Sequence, residues 1–353
     1  MSTEQTNSTQ TIEANQKAER PLITFALIAY NQEQFIEEAV QGALSQTYSP
    51  LEIILSDDGS SDRTFAIMTR MARVYNGPHT IILNRNEPNI GLVSHFNKIT
   101  SQLSHGQLIV IAGGDDVSTP SRTEILWHAW ENTGRKAYAI SSRRTVIDEN
   151  GRVLGKSPAF QTGLCKETLF DILEFRFNNL FGATMAYHRE IFEGFYPLSE
   201  ACTEDCNTYL RARILGPLLQ VNEILVKYRR SATSMTNLRN LRQSFLKRIH
   251  IHQMFWRQAM LDFSSPLARQ HLTHDTLQEV MENCTRNIKS YDQRKNFANT
   301  KVMVRIYCWV KMLTNSSIKE SLIYLLVFIL PKSTYFFAKR LWNISGRGQG
   351  IIE

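Results

Sequence analysis

Long apolar runs, paired cysteines and clustered charge are all scarce in this chain of 353 residues. The strongest apolar stretch, Leu322 to Leu330, falls well short of the ~20 residues that cross a bilayer. A conventional membrane span is therefore not expected. The five cysteines, Cys165, Cys202, Cys206, Cys284 and Cys308, are an odd and scattered set. They exclude a secreted disulfide framework and suit a reducing cytoplasm. Cys202 and Cys206 lie four apart without a second ligand pair, so buried thiols are expected there and not zinc. Residues 1–20 are polar and carry no apolar stretch, which reads as a disordered tail on a non-secreted protein. The net charge of +7 comes without any Lys/Arg-rich run or zinc-finger spacing. That argues against nucleic acid and leaves anionic ligands or a membrane surface.

What is present is the composition of a folded protein, 42% hydrophobic and 21% charged. The length predicts one large α/β domain with a C-terminal elaboration. From Pro21, strands and helices alternate. "LITFALIAY" is a buried strand, and Asn31 with Gln34 three residues on predicts a capped helix after it. Ile36, Ala39, Val40 and Ala43 give that helix one apolar face. "LEIILS" is the second strand, ending at "DDGSSD", and a helix from about Asp62 to Tyr75 follows. "TIILN", a helix in "GLVSHFNKITSQL" and the strand "QLIVIAGG" continue the rhythm, and Thr119-Pro120 reads as the next helix start. A mostly parallel, doubly wound sheet covered on both faces is the expected architecture. In such sheets ligands bind beyond the carboxyl ends of the strands. Asp57-Asp58 and Asp115-Asp116 both fall just past such ends. Each pair alone is ordinary turn chemistry; together they predict one acidic crevice suited to Mg²⁺ or Mn²⁺ and a phosphate.

These residues carry a resemblance. "FALIAYNQEQFIEEAVQGALSQTY", "IILSDDGSSDRT", "NIGLVSHFNK", "AGGDD" and "TEDCNTYLRARILG" follow in the order seen in family 2 glycosyltransferases. The resemblance covers roughly residues 21–236 and implies the GT-A fold, a Rossmann-like sheet with helices on both faces. It implies that Ala29 and Tyr30 hold the nucleotide base, where an aromatic ring can stack. Asp57 and Asp58 would hydrogen-bond base or ribose, and Asn89 and Gly91 would close a loop near the nucleotide. Asp116 would bind the metal and Asp115 the ribose or donor sugar. Asp205, with Glu204 beside it, would be the catalytic base, and Arg229 would either contact the diphosphate after loop closure or sit at a solvated basic strand end. Two departures stand out: glycine (Gly113 or Gly114) replaces the first Asp of the family's Asp-x-Asp motif, and Ser231 stands where many relatives carry histidine. Glu204-Asp205 also fits a helix start stabilised by acidic side chains. His95 is expected at the surface or as a cap, and His250 and His252 at the surface.

The resulting expectation is an inverting, metal-dependent transfer of sugar from a nucleotide-diphosphate donor to a hydroxyl of a glycan or lipid-linked acceptor. Cell-surface polysaccharide synthesis is the setting that the resemblance implies. A binding or scaffold relative, or transfer to a polyprenyl phosphate, are the alternatives. The expected organisation is a tail (1–20), a GT-A domain (21–237, with nucleotide-binding and acceptor halves meeting near 118) and a helical region (238–353). In the last, Lys332, Lys339 and Arg340 flank Tyr335, Phe336, Phe337 and Trp342. That mixture suits an in-plane contact with the inner membrane face, or a helix packed back on the protein.

Overall fold

The computed structural model describes residues 20–177, 180–199, 204–230 and 241–299. Its first half is a run of crossovers. Strand β1 (Ile23–Ala29) leads through helix α1 (Ile36–Leu44) to β2 (Leu51–Asp57), and α2 (Thr64–Val74) leads to β3 (Thr80–Arg85). Helix α3 (Leu92–Lys98) widens into a π-helical turn (Ile99–Leu103) before β4 (Leu108–Gly113). These four strands are parallel, in the order β3-β2-β1-β4. The order reverses direction between β1 and β4, and that switch point is where an open sheet leaves a crevice.

The apolar strands divide their side chains by strict alternation. Ile23, Phe25 and Leu27 of β1, with Leu108 and Val110 of β4, face α1, α2 and helix α4 (Arg122–Asn132). Ala26, Ile54, Ile109 and Ile111 face the other way, towards α3 and the later helices. Both faces of the sheet are therefore covered, which explains why β1 and β2 read as near-continuous apolar runs.

The second half is mixed. It contains the short β5 (Val117–Ser118), β6 (Ala139–Ile147), β7 (Val153–Lys156), β8 (Gly163–Leu164), β9 (Ala186–His188) and β10 (Leu218–Arg229). Strand β9 runs antiparallel between β4 and β6, and β10 is parallel to β6. Helices α5 (Leu169–Leu173), α6 (Glu190–Glu193) and α7 (Glu204–Leu215) pack on the second face. Helices α8 (Leu241–Ser264), α9 (Pro266–His271) and α10 (His274–Asn299) follow, so the region after residue 238 is helical where it is described.

Four local expectations are corrected. Asn31 does not cap α1: it takes a positive φ of 51°, and the helix begins five residues later, at Ile36. Its side chain is committed elsewhere, accepting from the Ser61 amide at 2.9 Å. Helix α4 starts at Arg122, two residues past Pro120, because Thr119 to Ser121 form a turn instead. His95 is not at the surface: it is buried on α3 and shares a 2.5 Å hydrogen bond with Ser56 Oγ. His250 is exposed as expected, whereas His252 is half buried against the rings of Phe175 and Tyr291. Cys202, Cys308, Ser231 and the basic-aromatic stretch at 332–342 lie outside the described residues, and no helix among those described is long and apolar enough to cross a membrane.

Candidate active site

Sheet register brings the acidic tips level. Ala29 pairs with Asp57, Asp57 with Arg85, and Ile28 with Gly113, so the ends of β1 to β4 form one ledge. Asp57 is fully buried and organises the loop after β2. One of its oxygens accepts from the Ser60 amide at 2.9 Å, the other from the Ser60 hydroxyl, and Arg85 Nε approaches to 3.6 Å. Asp58 reaches across to the loop before α3. Its carboxylate accepts from Asn86 Nδ2 (2.8 Å), the Ile90 amide (3.0 Å) and the Gly91 amide (2.9 Å). Asn89 Nδ2 donates to the Asp58 carbonyl at 2.7 Å. Gly91 has φ +84° and Gly59 φ +73°, conformations that an L side chain rarely adopts, and both turns depend on them. Beside this loop an open pocket of about 580 Å³ is lined by Phe65, Arg85, Asn86, Pro88 and Lys98. Tyr30, at the end of β1, is 50% exposed, while Ala29 beneath it is buried.

The tip of β4 holds the second acidic pair. Asp115 and Asp116 converge on Gly113: a side-chain carbon built there would lie 3.0 Å from Asp115 Oδ1 and 3.2 Å from Asp116 Oδ2. That is tight for a side-chain carbon, so the two carboxylate oxygens already fill the side of Gly113 on which any other residue would carry its side chain. Gly114 is more crowded still, since a side-chain carbon there would meet Gln32 Oε1 at 2.3 Å and Ala29 Cβ at 2.8 Å. Burial pushes the Asp115 carboxyl up, and burial together with the Asp115 charge pushes Asp116 well above the usual carboxylate range. Two close, desolvated carboxylates gain most from a shared cation. A hard divalent ion, with phosphate oxygens and water completing its shell, fits this donor set.

Two buried arginines support the pair. The Arg229 amide donates to Asp116 Oδ1 at 2.8 Å, and its guanidinium bonds the carbonyls of Asp115 (3.0 Å), Asp148 (3.2 Å) and Glu149 (3.1 Å) and Glu38 Oε2 (2.9 Å). Arg229 was expected on a diphosphate; its guanidinium lies behind the tip, 4.7 Å from the Phe35 ring, and is spent on these partners. Arg122 is wholly buried on the other side. It donates to Ser118 Oγ (2.9 Å) and to the carbonyls of Ile111 (2.8 Å) and Ala183 (3.1 Å). Burial lowers its pKa to about 9, and the charge of Asp116 opposes that shift. Sequence reasoning missed Arg122. The only available signal was a basic residue in the first turn of a helix, where the macrodipole disfavours one.

The third acidic pair, Glu204-Asp205, forms the first turn of α7. Asp205 Oδ1 accepts from the Cys206 amide at 2.7 Å, and its other oxygen faces Gly182, where an added side-chain carbon would lie 3.4 Å away. Gly182 opens the 3-10 turn Gly182–Thr184, whose Ala183 carbonyl bonds Arg122. One short segment thus ties the surroundings of Asp205 to those of Asp116. Tyr187 and Tyr209 are buried beside the pair. Burial and then the Asp205 charge raise Glu204 to about 8, and burial raises Asp205. Groups tuned towards neutrality in this way suit proton transfer near pH 7. Folding raises the Glu204 pKa from its ordinary 4.5. This group therefore favours the folded state most below pH 4.5 and loses that contribution as pH rises towards 8. Glu204→Gln should accordingly flatten the fall in melting temperature between those limits, measured by calorimetric scans across pH. An unchanged slope would place Glu204 in water.

The profile of glycosyl transferase family 2 matches residues 24–195. Residues 24–195 form a family 2 glycosyltransferase domain. A Haemophilus influenzae protein described as an uncharacterized glycosyltransferase is 26% identical over 64% of this glycosyltransferase and 70% of its own length. Chondroitin synthase from Escherichia coli is 24% identical over 58% of this chain, which spans only 28% of that enzyme. The crystal structure of S. aureus TarS 1-349 in complex with UDP-GlcNAc overlays with a TM-score of 0.57 at 14% identity, covering 92% of each chain. At that identity the overlay speaks to the fold, which is the GT-A fold expected from the motifs.

Proposed function

We propose that this glycosyltransferase moves a sugar from a nucleotide-diphosphate donor to an acceptor hydroxyl, with inversion and with the help of Mn²⁺ or Mg²⁺. The observation that carries the reading is the convergence of the Asp115 and Asp116 carboxylates beside Gly113, at the mouth of the switch-point crevice. The nucleotide complex of the TarS neighbour supports the donor class. Ala29 and the exposed Tyr30 ring form the platform for the base. Asp57, Asp58, Asn89 and Gly91 shape the two loops around it. Asp116 and Asp115 hold the metal and the proximal ribose or sugar oxygens, and Arg229 and Arg122 hold those two acids in place. A metal bound there supplies charge neutralisation for the departing diphosphate. Asp205 accepts the proton of the attacking hydroxyl, and Glu204 beside it keeps the local charge low by staying protonated near pH 7. Attack opposite the leaving group inverts the anomeric centre.

A phosphate acceptor would need no general base, so an acid pair tuned towards neutrality favours a hydroxyl over a polyprenyl phosphate. A glycan or lipid-linked acceptor in surface-polysaccharide synthesis remains the setting of this reading. The basic and aromatic residues at 332–342 support a peripheral contact with an anionic, inner-face membrane surface. The test is a panel of UDP-, GDP- and dTDP-sugars with Mn²⁺, scored for release of nucleoside diphosphate. Metal-dependent release from one nucleotide class is expected; release from none would favour a binding or scaffold role.

A further inference from the structure

The segment leading into Glu204-Asp205 is gripped from two sides. Asn97 of α3 acts on Leu198 like a peptide group: Asn97 Nδ2 donates to the Leu198 carbonyl at 2.7 Å, and the Leu198 amide donates to Asn97 Oδ1 at 3.1 Å. One residue on, the Ser199 amide donates to Gln258 Oε1 of α8 at 2.9 Å. Gln258 Nε2 donates in turn to Asp262 Oδ1 at 3.0 Å. Arg211, on the same helix as the acid pair, is bidentate on Asp262 at 3.0 and 2.8 Å and donates to the Tyr196 carbonyl at 2.6 Å. Asn207 Nδ2, within the first two turns of α7, bonds the Phe255 carbonyl of α8 at 3.2 Å. Gln258, Asp262 and Asn207 are wholly buried, and Arg211 is almost so.

A buried ion pair is a poor way to gain stability, because desolvation offsets its attraction. Its geometric specificity is another matter, since a bidentate guanidinium fixes both distance and orientation. Here the fixed object is the approach to the acid pair and the helix that carries it. α3 starts immediately after Gly91, so the same clamp also joins the donor-side loop to the acceptor-side carboxylates. A misplacement of about 1 Å at a reacting group can cost ~10²-fold in rate, which is ample reason for such a device.

We propose that Gln258 and Asp262 are positioning residues for sugar transfer, making α8 part of the catalytic unit although it lies beyond the residues that the family profile matches. The proposal rests on reading Glu204-Asp205 as the pair that activates the acceptor. It deepens that reading by naming what holds the pair in place.

The test uses the full chain and the donor turned over fastest in the panel above, with water or glycan as acceptor. Gln258→Leu keeps volume and removes the hydrogen bonds to Ser199, Asp262 and the Pro197 carbonyl. Its kcat should fall about 10- to 100-fold while the donor KM and the affinity for nucleoside diphosphate stay within about twofold. Loosening the segment should also admit more water to Glu204 and Asp205, which lie against each other, Gly182, Cys206, Tyr187 and Tyr209. The acidic limb of the pH–kcat profile should therefore move to lower pH. Asn97→Leu, which breaks the grip from the other side, should move both readouts the same way and serves if Gln258→Leu does not fold. A wild-type rate in either variant, or a slower rate with an unmoved acidic limb, overturns the proposal. Failure of the underlying reading looks different: Asp205→Asn would then keep its turnover whatever Gln258 does.

Discussion

Asp205→Asn should stop sugar transfer and leave the donor site intact. The substitution keeps the size of the side chain and an oxygen for the Cys206 amide, now at 2.7 Å from Asp205 Oδ1. It removes the ability to accept a proton, and loss of a general base costs roughly 10²–10⁴-fold in rate. Asp205 opens α7 on the far side of the 182–184 turn from the β4 tip. Nucleoside-diphosphate affinity, measured by calorimetry on the same preparation, should therefore change by less than about twofold. The pH profile adds a second reading of the same group. Burial raises both Glu204 and Asp205, so wild-type activity should climb with pH as the acid pair loses its proton, over a range above the ordinary carboxylate values. Persistence of transfer near the wild-type rate would reduce Asp205 to a helix-start carboxylate and direct attention to Glu204.

Asp116→Ala should abolish metal-dependent nucleotide binding. Only the Asp115 carboxylate would remain beside Gly113, and no group of three or more potential metal-ligating side chains exists among the described residues to take over. The expected loss of Mn²⁺-dependent affinity for UDP or GDP exceeds the ~10–100-fold typical of losing an outer-shell partner. Because Asp115 and Asp116 are both pushed up by burial, binding the cation should also expel protons. Wild-type affinity should thus rise with pH, and the heat of binding should depend on the ionisation enthalpy of the buffer. Asp116→Ala would lose that buffer dependence. Equal metal-dependent binding in the variant would remove Asp116 from the site. The variant also leaves Arg122 buried without its countercharge, so folding must be checked by its thermal transition before binding is compared.

The crossover architecture was legible because its physics is local. An apolar run such as ITFALIA must be buried on both faces to be satisfied, and β1 is buried along almost its whole length. The periodic face of α1 and the position of the acidic pairs at strand ends follow from the same reasoning. Turn chemistry was less readable. Asn31 has the composition of a cap, yet the amide of Ser61, thirty residues away, claims its oxygen. His95 has the polarity of a surface residue, but it sits one helical turn past Gly91 on the face that meets β2, where Ser56 offers a partner. No windowed pattern contains either partner.

The sequence by itself therefore determined the alternation of elements, the strand tips and the residue types that chemistry needs at them. Tertiary structure alone decided how those residues are employed. The antiparallel insertion of β9 beside β4 brings the 182–185 segment against the β4 tip, and the antiparallel contact of β5 with β10 delivers the Arg229 amide to Asp116. Both contacts join residues more than sixty positions apart. Their existence depends on sheet order and on the burial of two arginines whose charges find partners only after the chain has closed, which is why composition, periodicity and spacing carry no trace of them.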